Sequence, residues 1–170
     1  GLRNKALIAY KDDKLNEALS YFNELNSLIQ DEEVTKYITK INNRDEILKL
    51  INEAQKQLKD QKFDDAKINI FKSIGLDKDY LPSQVLKDEI LKKEKKFNFV
   101  DYINETYVAI DKLNFQKAEE SLGQAKLLFP NSNEIIEVEN RLKRTKKENI
   151  VKVLLLNIDN SITAEDWNNA

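Results

Sequence analysis

An all-α fold follows from three features of the 170-residue sequence. Gly and Pro number three and two, too few to punctuate the many tight turns of an all-β or Gly-loop α/β protein. Large apolar residues recur at steps of three, four and seven, the period of one helix face. A short pattern also returns at nearly even intervals: an apolar residue with Ala three positions on, in Leu15-Asn16-Glu17-Ala18, Phe63-Asp64-Asp65-Ala66, Phe115-Gln116-Lys117-Ala118 and Trp167-Asn168-Asn169-Ala170. From alanine to alanine the spacings are 48, 52 and 52. Repetition at such a period marks stacked supersecondary units.

Each of the first three patterns opens a short helix of about twelve residues after a tight turn. Phe22, Ile70 and Leu122 follow the alanines by one helical turn on the same face, Leu28, Leu76 and Leu128 lie further along, and Pro130 stops the third helix. The alanines belong where two helices cross closely, since a larger side chain would push them apart. Between the short helices run long apolar stripes. Val34, Ile38, Ile41, Leu48, Ile51, Ala54 and Leu58 form the first; Leu86, Ile90, Phe97, Val100, Ile103, Tyr107 and Ile110 the second; Ile135, Val138, Leu142, Ile150, Leu154, Ile158 and Ile162 the third. Each suits a helix of roughly thirty residues, or ~45 Å. Their middles are polar, and Asn43 with Glu46 and Thr145 with Glu148 have capping-box spacing, which would divide a long helix in two. No Gly or Pro lies inside these segments, so the continuous form is expected. Trp167 would begin a fourth short helix.

The short helices resemble the second helix of the tetratricopeptide repeat family: an aromatic or apolar residue, Ala three on, a large apolar residue and a terminal Pro. Ala118-Glu119-Glu120-Ser121-Leu122-Gly123-Gln124-Ala125 through Pro130 carries the resemblance best. Twelve residues before each alanine the family has a small residue, and Ala6, Ala54 and Thr106 stand there, with Ile158 in the fourth unit. The resemblance implies an antiparallel helical-hairpin solenoid, a superhelix of alternating long and short helices over residues 1–170, in units of roughly 1–30, 31–80, 81–130 and an incomplete 131–170. The family repeats every ~34 residues, so each unit here holds up to 18 more, or five whole turns. Lengthening the first helix by whole turns would keep its buried stripe in phase.

Composition narrows the chemistry. The sequence has no His, Cys or Met and a formal net charge of -2. Without His and Cys the commonest general base, thiol nucleophile and zinc ligands are missing, and the charge gives no general reason to bind nucleic acid. No stretch reaches the ~20 apolar residues of a membrane span. Lys outnumbers Arg 24 to 4, which reads as the codon bias of an AT-rich genome. The opening Gly1-Leu2-Arg3 reads as part of a longer protein, soluble in cytoplasm or periplasm.

Two candidate surfaces remain. Lys92, Lys95 and Lys96 reappear 51 to 52 residues later around Arg144 and Lys147; stacked in register, they would form a basic ladder for an acidic peptide or anionic headgroup, or else a solvated face. A groove of the kind that holds peptides in the resembling family would be lined by Ile51, Gln55, Leu58, Ile103, Tyr107 and Ile110, unless the long helices fill it. Asp77-Lys78-Asp79 begins like a calcium loop but lacks Gly at the sixth position and Glu at the twelfth, and Asp79 is better placed as a helix cap. The expectation is therefore a non-catalytic protein–protein interaction scaffold with no cofactor or metal, and with self-association through an open C-terminal end. The alternative is a regulatory or spacer segment of a larger enzyme or membrane-anchored protein.

Overall fold

The computed structural model describes residues 1–168, and the side chains of residues 1–163. Among the described residues there are eight helices and no strand: α1 (Leu2–Lys11), α2 (Leu15–Ile29), α3 (Glu32–Asn42), α4 (Arg44–Lys59), α5 (Phe63–Leu76), α6 (Leu81–Asp111), α7 (Phe115–Leu128) and α8 (Asn133–Asn168). Two compact units divide between Lys92 and Lys93, within α6.

The first unit holds two cores. Ala6 and Ala9 of α1, Ala18, Phe22 and Leu25 of α2, and Val34 and Ile41 of α3 form one. Phe22 stacks on Tyr37 with ring centroids 4.9 Å apart, and Tyr10 meets the same ring edge-on at 5.1 Å. Ile47, Ile51, Ala54 and Leu58 of α4, Ala66 and Ile70 of α5, and Leu86 and Ile90 of α6 form the other. In the second unit Phe99, Ile103, Ala109 and Ile110 of α6, Ala118, Leu122 and Ala125 of α7, and Ile135, Val138 and Leu142 of α8 make a third core. Each core thus joins a short helix to the helix before it and the helix after it. The repeated alanines are where close crossing requires them: Ala18, Ala66 and Ala118, and with them Ala6, Ala54 and Thr106, are fully buried.

The turn that precedes each repeated alanine is the same three times. Asp13, Gln61 and Leu113, each five residues before its alanine, take left-handed φ of 57, 58 and 55°. The next amide donates five residues back: Lys14 N to Ala9 O at 2.9 Å, Lys62 N to Gln57 O at 2.8 Å, Asn114 N to Ala109 O at 2.9 Å. The left-handed residue itself donates three back, to Tyr10, Leu58 and Ile110. This double bond pattern is a Schellman motif, which usually recruits Gly; here no turn has one.

Three expectations are corrected. The first long helix is divided: α3 ends at Asn42 and α4 starts at Arg44, with Asn43 between them at φ -82°, ψ -6°. Its side chain makes no capping hydrogen bond, so no capping box forms; α6 and α8 run unbroken through their polar middles. The apolar stripes also change phase. Leu48, Phe97 and Val100 are exposed, while Ile47, Leu50 and Phe99 are buried in their place. Val34 and Ile41 are buried in one core and Ile47, Ile51, Ala54 and Leu58 in the next, so the polar middle is where burial passes from one core to the other. Finally, the backbone of Trp167 belongs to α8, and no further helix starts there; its side chain and Ala170 lie outside the described residues.

Candidate functional site

In the second unit α6 and α8 lie alongside each other. Tyr107 of α6 meets Arg141 of α8, whose guanidinium carbon is 5.0 Å from the ring centroid, and Arg141 is also held by Asp111 at 2.5 Å. Between the helices opens a cleft of about 560 Å³ lined by Tyr107, Glu137, Asn140, Arg141 and Arg144. Positions 137, 140, 141 and 144 follow helical steps of three and four, which puts all four side chains on one face. Burial raises the Tyr107 phenol above its ordinary pKa, with the Glu137 carboxylate adding and the Arg141 guanidinium opposing, so Tyr107 is a neutral hydroxyl at physiological pH. Arg144 differs from Arg141: its side chain is 71% exposed, and its ion pair to Glu148 is 3.8 Å long. A pair so exposed contributes little, which leaves this guanidinium able to take a planar carboxylate from outside.

Of the residues expected to line a groove, only Tyr107 opens onto a cleft. Ile51 and Leu58 are buried in one core, and Ile103 and Ile110 in another; Gln55 is exposed on α4. The basic residues also fall apart. Lys92, Lys95 and Lys96 are exposed on α6; Lys95 sits 4.8 Å from the Phe129 ring centroid, and Lys96 is near enough to Glu134 to help hold its carboxyl below the ordinary value, behind the Ser132 hydroxyl and the Glu134 backbone amide. Lys96 thus faces Glu134 and Tyr107 faces Arg141, 38 and 34 residues on, rather than the 51 to 52 a ladder requires. Arg144 and Lys147 lie a further ten or more residues along α8, ~15 Å beyond Glu134, so the structure does not bring them to Lys95 and Lys96.

A second polar cluster lies in the first unit. Lys40 of α3 reaches the loop between α5 and α6, at 3.0 Å from Asp77 and 2.7 Å from Asp79. Asp77 is 3% exposed, and its carboxylate also accepts from the Asp79 amide at 3.1 Å. The expected cap, Asp79, is therefore engaged with Lys40, and the loop is closed by a lysine instead of calcium. Burial disfavours the Lys40 charge, but the hydrogen bonds it donates to Asp79 and Asp77 outweigh it and push the ammonium up to about 12. The hydrogen bond from Lys40 holds Asp79 below the usual carboxylate value. Beside them Arg44 lies 4.1 Å over the Tyr80 ring and 3.6 Å from Asp13. Sequence reasoning missed this cluster because its partners are 37 to 39 residues apart with no shared motif.

Among the described residues no group of three or more His, Cys, Asp and Glu side chains is placed to hold a metal ion, and no helix is long and apolar enough to cross a membrane. The chain matches no protein-family model, no curated protein and no solved structure.

Proposed function

We propose that this chain is a non-catalytic protein–protein interaction scaffold of tetratricopeptide-like helical hairpins, stacked as a solenoid, whose partner presents an acidic peptide segment to the α6–α8 cleft. The observation that carries this reading is the convergence of Tyr107, Asn140, Arg141 and Arg144 on one open cleft, where they share the lining with the Glu137 carboxylate. Tyr107 and Arg141 supply a rigid, mutually stacked wall, Asn140 offers both donor and acceptor to a peptide group, and Arg144 offers the fork that recognises a carboxylate. The resemblance is supported by the buried small residues at the repeated positions, Ala6, Ala18, Ala54, Ala66, Thr106 and Ala118.

The test is affinity capture from the source cell's lysate with this chain as bait, beside Asn140→Ala/Arg144→Glu, with helicity checked by circular dichroism. A protein captured by the first and lost by the second, more weakly held as salt rises, is the expected result. Equal capture by both would place the partner elsewhere, and capture by neither would favour a spacer or regulatory segment.

A further inference from the structure

The C-terminal part of α8 carries an apolar stripe that nothing covers among the described residues. Val151, Leu154, Leu155, Ile158 and Ile162 are each 53 to 57% exposed. They lie about half a turn around the helix from Ile135, Val138 and Leu142, which are buried against α7. Across the break from α3 to α4 the buried set also passes to another core, and there Ile47, Ile51, Ala54 and Leu58 are covered by α5 and α6. Ile150, Val153 and Leu156, 48 to 60% exposed, add apolar surface on the other faces of this segment, and a helix apolar on so many sides calls for a packing partner.

Its occupant differs from α5 and α7. In the three hairpins the residue twelve before the repeated alanine is small and fully buried, Ala6, Ala54 or Thr106; on α8 that position is Ile158, which keeps a short helix from crossing as closely. Val151, Leu155, Ile158 and Ile162 instead step by four, three and four, the seam of two helices packed side by side in a coiled coil. That spacing reads the same in both directions. Set antiparallel against itself, it places Val151 opposite Ile162 and Leu155 opposite Ile158. Lys152 and Asp159, both exposed and seven residues apart on one flank, then bring each lysine beside the aspartate of the other copy, twice by symmetry.

We propose that residues 151–162 pair antiparallel with the same segment of a second copy, forming a two-fold dimer. Full burial of these five half-exposed side chains removes on the order of 500 Å² per copy, or about 1,000 Å² in all, the least that a specific interface needs, so the dimer is a weak, reversible one. Sedimentation equilibrium of the chain from ~1 µM to ~1 mM tests this. The expected result is a reversible monomer–dimer equilibrium, weakened at least ~100-fold by Ile158→Glu, ~10-fold by Lys152→Glu or by Asp159→Lys alone, and restored to within ~3-fold by the two charge changes together. All three positions are exposed, so helicity is retained in each variant. A monomer at ~1 mM, with or without amide protection of residues 151–162, would overturn the proposal. So would a dimer that survives Ile158→Glu, or single charge changes without effect. Partner capture through the α6–α8 cleft is unaffected by Ile158→Glu, so the two readings fail separately.

Discussion

Lys40 shows how one side chain can close a joint. Its side chain is about three-quarters buried, and its ammonium meets a carboxylate, Asp77, that is almost wholly so. Replacing it by Met leaves that carboxylate buried without its cation, which costs about 2 kcal/mol after allowance for the exposed side of the pair. The pH dependence follows from the two shifts. Lys40 is raised from 10.5 to about 12, so its stabilisation is complete below 10.5 and lost as pH rises through about 12. Asp79 is lowered from 3.8, so its share is present above 3.8 and lost as pH falls through the depressed value. Urea unfolding of the wild type and Lys40→Met from pH 3 to 12 should show a constant gap near neutrality that closes at both extremes; a gap independent of pH would contradict the assignment. None of this was legible in the sequence, where Lys40 shares no motif with Asp77 and Asp79, 37 and 39 residues on. The groove residues were half legible: Ile51, Leu58, Ile103 and Ile110 were correctly apolar and on one face, but apolarity alone does not say whether a face meets a partner or its own next helix.

At the scale of elements, the helix pairs were readable because close crossing admits only small side chains, which marks Ala18, Ala66 and Ala118. The turns were not, because Asp13, Gln61 and Leu113 hold the left-handed conformation without the Gly that would have announced it. That conformation costs an L-residue roughly 1–2 kcal/mol, partly offset in a Gly variant by the greater freedom of its unfolded chain. Gln61→Gly should therefore raise stability by about 0.5 kcal/mol in a denaturant titration. Its neighbour Asp60, at φ -81°, should lose a similar amount when changed to Gly; a loss at both positions would count against the turn described here. The phase of the long helices was missed for a related reason. Counting whole turns assumes one continuous buried face, whereas burial passes from one core to the next between α3 and α4, and α8 buries one face before its polar middle and carries the apolar stripe on the other after it.

Across the whole molecule, all-helical class and repetition were legible because they are properties of period and composition. The proposed docking cleft was not, since Tyr107 and Arg144 belonged to two separate expectations and only the packing of α6 on α8 puts them in one cleft. The near-neutral charge of -2 conceals this local arrangement, because recognition depends on which charges are left unengaged and not on their sum. The most direct measurement is photo-crosslinking in the source cell, with a photoreactive residue at Asn140 in the cleft or at Ile68, exposed on α5. The account predicts one discrete adduct from position 140, lost when Arg144 is changed to Glu, and none from position 68. The same adduct from both positions, or one from 140 that persists without the arginine, would contradict it.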